Sequence, residues 1–244
     1  MEQRSTTIVI RGFWVWLIAL VTLMSCDSNS DPPSLVCTND PIPGPLVPME
    51  VGNYWDYDIL DHKGEVTDSA RFEILEEIFL DELGGANRQF VANWHDIGSP
   101  AQETREIWTD ENDGTHFSGF IMGVDTAAAD FLRFGYPATP GDVFVGYDYT
   151  RDSETGILVK TDTSEYTLVA VDEIIQTPAG RFSTYVYKVL RDPPGGVLWG
   201  TWLYLHYAPG FGLVARVVWP GRAERQGEIE LQFLLRDYCL KLLQ

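Results

Sequence analysis

"VLWGTWLYLHY" (residues 197–207) is the stretch on which the fold turns. Read with a period of two, Trp199, Leu203, Leu205 and Tyr207 alternate with Leu198, Trp202, Tyr204 and His206. Residues i and i+2 share one face of a strand, so both faces of this one carry large apolar bodies. Such a strand is either covered on both sides or lines a cavity. "YVYKVL" (185–190) before it and "LVARVVW" (213–219) after it are apolar on both faces too. Three adjacent two-sided strands need a covering layer. The chain offers one short helical candidate, "DTAAADFLRF" (125–134), with Asp125 or Thr126 as cap of a helix over 125–133. One small helix cannot cover that surface, so the expectation is a sheet closing over itself around a core or pocket.

The rest of the chain agrees. "ARFEILEEIFL" (70–80) puts Phe72, Ile74, Ile78 and Leu80 on one face, opposite Arg71, Glu73 and Glu77. "EIELQFLLR" (228–236) puts Ile229, Leu231, Phe233 and Leu235 on one face. Each has one buried and one wet side, as antiparallel sheets allow. "NDG" at 112–114, "PPGG" at 193–196 and "TPAG" at 177–180 read as tight turns between strands. Eight Trp, eleven Tyr and twelve Phe suit β-structure. The expected fold is all-β with at most one or two short helices. Ten or eleven strands should form an antiparallel, strongly curved sheet: a barrel, half-barrel or sandwich. Pro48-x-x-x-Gly52-Asn53-Tyr54-Trp55 is echoed by Pro137-x-x-x-Gly141-Asp142-Val143-Phe144, and Tyr57-Asp58 by Tyr147-Asp148. Either two similar half-sheets or one local motif used twice would produce this, and so few matches favour the second.

The N-terminus sets the compartment. Gly12 to Met24, preceded by Arg4 and Arg11, is a 13-residue stretch that is apolar or small except for Thr22. A spanning helix needs roughly 20 apolar residues and a signal-peptide core roughly 7–15. Leu23-Met24-Ser25-Cys26 resembles a bacterial lipobox, with Met24 in place of the usual small or β-branched residue. The resemblance implies cleavage before Cys26 and attachment to a membrane through N-terminal acyl chains on Cys26. An uncleaved anchor helix or an ordinary signal peptide is the alternative. The expected organisation is a signal peptide at 1–25, a proline-rich tether at 26–48 and a single β-rich domain at 49–244. Asp27 resembles the enterobacterial inner-membrane retention signal, but sorting rules differ among bacteria. Inner membrane, outer membrane and cell surface stay open. Cys37 and Cys239 then remain as an even pair in an oxidising setting, either a disulfide or two buried thiols. As a bond they would close a loop of about 200 residues, worth roughly 4–5 kcal/mol in the chain-entropy model.

"LVPMEVGNYWDYDI" (46–59), "TPAGRFSTYVYKV" (177–189) and "YAPGFGLVARV" (207–217) together resemble a class of uncharacterised lipoproteins of Bacteroidota-like bacteria. The class carries G-N-x-W, P-A-G-x-F and A-P-G-x-G-L-V strands in that order. The resemblance implies a strongly curved antiparallel sheet, similar to the lipoprotein-carrier half-barrels. It brings no activity and no catalytic residues.

Chemistry is sparse. A net charge of −19 argues against nucleic acid as a partner, since phosphates need basic patches. His62, His95, His116 and His206 form no zinc pattern, so no metal or other cofactor is expected. "DENDG" (110–114) has its Gly one place early for a calcium loop and reads as a hairpin tip. Trp199, Trp202, Tyr204 and His206 are the candidate pocket, able to grip a glycan or an acyl chain if they are not plain core. The expected role is a lipid-anchored cell-envelope protein that binds or scaffolds without catalysis, its partner an apolar or glycan ligand or another envelope protein. The alternatives are a tethered hydrolase of a glycan or other envelope polymer, and a lipid or lipoprotein carrier. Two carboxylates about 5–10 Å apart in a groove would favour the hydrolase. A wholly apolar groove would favour the carrier.

Overall fold

Alternation becomes strand throughout. The computed structural model describes residues 37–38, 40–79, 88–97, 104–122, 125–151, 158–191, 201–219, 229 and 231–241. Among them are thirteen strands and no helix. β1 is Cys37–Thr38, β2 Tyr54–Asp61, β3 Val66–Ile78, β4 Gln89–Asp96, β5 Thr104–Glu111 and β6 Gly114–Met122. β7 is Asp125–Gly135, β8 Val143–Arg151, β9 Leu158–Thr177 and β10 Gly180–Arg191. β11 is Thr201–Ala208, β12 Gly212–Trp219 and β13 Leu231–Lys241. The sheet order is β7-β6-β5-β4-β3-β2-β13-β12-β11-β10-β9-β8, all antiparallel, with β1 added to β13. Its two ends, β7 and β8, are consecutive in the chain and lie side by side. The sheet is thus nearly closed into a 12-stranded barrel.

Twelve strands enclose more space than aliphatic side chains fill, since about eight are just filled by their own residues. Here rings take up the space. Phe134 of β7 lies 6.3 Å from Trp108 of β5, 5.3 Å from Tyr166 of β9, 5.1 Å from Tyr187 of β10 and 4.6 Å from Tyr207 of β11. Rings from strands up to four places apart around the barrel therefore meet in its interior.

The barrel is two six-stranded meanders, β2–β7 and β8–β13, and the sequence echo marks where each begins. Gly52 N donates to Ile74 O and Ile74 N to Asn53 O; Gly141 N donates to Leu168 O and Leu168 N to Asp142 O. Both glycines hold positive φ, +85° and +103°, which other residues resist. Trp55 and Phe144 then turn into the core. Each copy of the echo thus stands at the entry to one six-stranded half. The halves join by a full ladder between β13 and β2, whereas no register pairs join β7 and β8 among the described residues.

Thirteen strands stand where ten or eleven were expected, and two further expectations change. The helix expected over 125–133 is strand β7, paired with β6 from Gly114↔Gly135 to Met122↔Asp125. A strand ladder formed by the neighbouring chain outweighs the helix preference of three alanines. The tether expected to run to residue 48 ends earlier. β1 pairs with β13, Cys37 is disulfide-bonded to Cys239 with a Cα–Cα distance of 4.9 Å, and Leu46, Val47 and Met49 are buried in the main core. Prolines there set the direction of a strap rather than a free linker, because its apolar residues have a surface to bury. The signal-peptide region and Cys26 lie outside the described residues, as do "PPGG" and Trp199.

That strap, residues 41–49, closes one end of the barrel. Ile42 N donates to Gly210 O, Gly210 N to Pro45 O and Gly212 N to Leu46 O. A Cβ on Gly210 would stand 2.5 Å from the Ile42 carbonyl oxygen, and its φ is +77°. Glycine is required on both counts. Buried Asn53 links strap to wall: its Nδ2 donates to Pro48 O and its Oδ1 accepts from Lys241 N. The Trp55 indole donates to Phe211 O. At the β9–β10 turn Ala179 N donates to Leu235 O, and Phe182 packs edge-on against Phe211. All three motifs that carried the family resemblance meet at this closed end.

Candidate functional site

Towards the other end the barrel holds a cavity of about 300 Å³. Its rings are Trp94, Trp108, Phe134, Tyr166, Tyr207 and Phe233, supplied by β4, β5, β7, β9, β11 and β13. Leu203, Leu205, Leu213, Val189 and Ala70 add to the apolar wall. Trp108, Phe134, Tyr166 and Tyr207 are buried, while Trp94 and Phe233 are half-buried.

Charge enters through Glu106, Arg133 and Arg216. Arg133 owes its position to a β-bulge. Thr115 pairs with Phe134 and His116 with Leu132, so Arg133 is the extra residue. Bulges re-aim side chains, and here Arg133 and Phe134 both line the interior. Arg133 is 9% exposed. Its Nε donates to the Tyr166 hydroxyl at 3.2 Å, and Nη1 lies 3.6 Å from Glu106 Oε2. The rings of Trp108 and Phe117 stand 5.2 Å from the guanidinium carbon, within cation–π range. Burial works against the charge, yet Tyr166 and Glu106 outweigh it and raise the Arg133 pKa. Glu106 Oε2 also accepts from the Trp108 indole at 2.9 Å. Arg216 lies over Phe233 at 4.9 Å. Burial, with no anion allowed to form cheaply, pushes the Tyr207 hydroxyl far above its ordinary value.

Of the pocket residues named from sequence, Trp202, Tyr204 and His206 lie elsewhere. Trp202, Tyr204 and His206 alternate with Leu203, Leu205 and Tyr207, and it is the second set that lines the cavity. Tyr204 and His206 are buried on the outer side of β11, at 2% and 5% exposure, and Trp202 lies under Lys188 at 4.8 Å. His206 Nδ1 is 3.4 Å from Thr184 Oγ1. The strand is covered on one side and lines a cavity on the other, so its two-sided pattern could not say which set faces in. What sequence reading missed was Arg133, Arg216 and Glu106. The signal was present for the arginines: each is one cation inside an apolar run, "FLRF" and "LVARVV".

The histidines stay apart, on the β2–β3 turn, β4, β6 and β11, and His95 of β4 borders the cavity. Among the described residues, one group of metal-type ligands occurs: Glu111, Asp113 and His116 at the β5–β6 turn, with ligand atoms within 4.8 Å of one another. His116 Nε2 is 2.9 Å from Asp113 Oδ1. This is the "DENDG" hairpin tip. Beneath it Asp110 is pushed up to about 7 by burial, against a smaller opposing pull from the Thr115 hydroxyl.

The chain is similar in structure to a "putative lipoprotein" from Parabacteroides distasonis ATCC 8503. The TM-score is 0.50 at 16% identity, covering 79% of this chain and 97% of that one. It also aligns with a "putative exported protein with YmcC-like fold" from Bacteroides fragilis NCTC 9343, with a TM-score of 0.44 at 15% identity over 79% and 97%. The first likeness shows a shared fold. No protein-family model and no curated protein matches the chain.

Proposed function

We propose that this is a lipid-anchored protein of the bacterial cell envelope whose barrel binds a small ligand without transforming it. The cavity of about 300 Å³ carries the reading, because a sheet otherwise packed ring against ring leaves this space bordered by half-buried Trp94, Glu106, Arg216 and Phe233. Its volume is at the lower end of small-molecule sites, which are mostly apolar with a few polar groups. Among the described lining residues the carboxylate is Glu106, engaged by Arg133 and Trp108, rather than a pair of carboxylates facing across a groove. Three charged side chains set it apart from the wholly apolar groove of a lipid carrier. The lipobox-like Leu23-Met24-Ser25-Cys26 supports the anchor, and the fold shared with the Parabacteroides protein agrees with an exported lipoprotein.

The test is binding of a neutral aromatic probe, 2-naphthamide, to the full chain in zwitterionic lipid nanodiscs, with empty discs as blank. Saturable binding is expected in the wild type. Ala70→Phe, which fills the cavity from its wall, should abolish it. An equal, non-saturable signal from both proteins would defeat the proposal.

A further inference from the structure

We infer that the cavity selects an anion: a small aromatic or apolar carboxylate whose charge is held by Arg133, with Arg216 as a second guanidinium. This rests on the binding reading above and adds the chemical class of the ligand.

The cavity is opposite in sign to the molecule around it. The chain has 17 basic and 36 acidic residues, yet among the described lining residues two arginines and one glutamate stand with the cavity rings, and His95 borders them. A protein that needed only to fill this space had apolar residues for it.

Among the described residues Arg133 makes one side-chain hydrogen bond. A guanidinium carries five N–H donors in a planar fork. Nε is used by Tyr166. Glu106 at 3.6 Å from Nη1 attracts the charge but is too far for a hydrogen bond, and its Oε2 already accepts from Trp108. Among the described residues no acceptor hydrogen-bonds either Nη of Arg133. A buried guanidinium is costly unless paired, and the partner that matches its fork is a carboxylate bound through two parallel hydrogen bonds.

The walls suit a flat ligand body. Trp108, Phe134, Tyr166 and Tyr207 surround the guanidinium or stand next to it, leaving flat apolar surface. A ring with one carboxylate satisfies both surfaces. A cation would be repelled by the guanidinium of Arg133, and a neutral amide accepts a hydrogen bond from its fork without supplying the opposite charge.

The experiment compares three isosteric probes on the full chain in zwitterionic nanodiscs: 2-naphthoate, neutral 2-naphthamide and cationic 2-naphthylmethylammonium. A charge-assisted bidentate contact predicts that the wild type binds the acid about tenfold or more tightly than the amide, with the cation weakest. In Arg133→Gln the acid–amide ratio should fall close to one. Glu106→Gln keeps an acceptor for the Trp108 indole and removes the competing charge, so the acid–amide ratio should rise several-fold. This variant decides the matter if Arg133→Gln loses amide binding through misfolding. Acid and amide binding equally in the wild type would overturn the inference and leave the binding reading intact. An acid preference unmoved by Arg133→Gln and Glu106→Gln would overturn the assignment to this site. Binding of none of the probes would instead defeat the binding reading itself.

Discussion

The closed end and the cavity of this barrel are built from the same residue types put to different use. At the closed end the polar tips of the rings are spent on the backbone: Trp55 donates to Phe211 O, Tyr57 to Leu213 O and Tyr187 to Gly135 O. In the cavity the corresponding tips turn to charged side chains, Trp108 to Glu106 and Tyr166 to Arg133. A ring bonded to a carbonyl of a neighbouring strand is locked as part of the wall. A ring bonded to a charged group stays next to something a ligand can compete for. The partner of the polar atom, and not the ring, separates framework from site.

The largest effect should come from the closed end. Trp55→Ala removes a buried indole and its hydrogen bond, and should cost about 3–5 kcal/mol in urea unfolding, as large core truncations do. A loss under about 1 kcal/mol would mean that the strap end is not framework. Next, replacing Cys37 and Cys239 by serine together should cost about 2–4 kcal/mol by releasing a loop with a sequence separation of 202. Probe binding in the cavity should persist wherever the double variant remains folded, which urea titration with bound 2-naphthamide would check.

A smaller effect concerns pH. Burial raises Asp110 to about 7, so the folded chain keeps that proton where the unfolded chain, near the ordinary value of 3.8, has lost it. Between about pH 4 and 7 the folded state binds more protons, so this residue's contribution is full below about pH 4 and is lost as pH rises to 7. Asp110→Asn should flatten that dependence and stabilise the protein at pH 8 by on the order of 1–2 kcal/mol, once the shift is discounted for the residue's contact with solvent. Unfolding free energies at pH 5 and pH 8 that shift equally in wild type and variant would contradict it. The smallest effect is on the outer face of β11. Trp202→Ala should change stability by less than about 1 kcal/mol and leave probe affinity unchanged. A clear loss of affinity, measured by titration, would bring the outer face into the site.

Much of the closed end was legible as local chemistry. Gly52, Gly210 and the "TPAG" turn announce positions where the backbone bends, and the structure uses them so. The strap was harder to see, because "PIPGPLVP" has the composition of a linker and becomes structure only by meeting the β11–β12 turn. The cavity was less legible still. Arg133 sits within ten residues read as helix, and only pairing with β6 makes that stretch a strand whose bulge turns the arginine inward.

By itself, the sequence determined an all-β chain, the turns between several of its strands, an acidic surface and a pair of cysteines able to bridge its two ends. These follow from period-two alternation, glycine conformation and charge, all of them properties of near neighbours. Tertiary structure decided which face of "VLWGTWLYLHY" looks inward, that the sheet closes as a barrel of two six-stranded halves, and that Glu106, Arg133 and Arg216 share one cavity. Those outcomes depend on strand register and bulges, and a shift of one residue exchanges the two faces of a strand. When both faces are apolar, local preference cannot choose between them; the closing of the distant strands does.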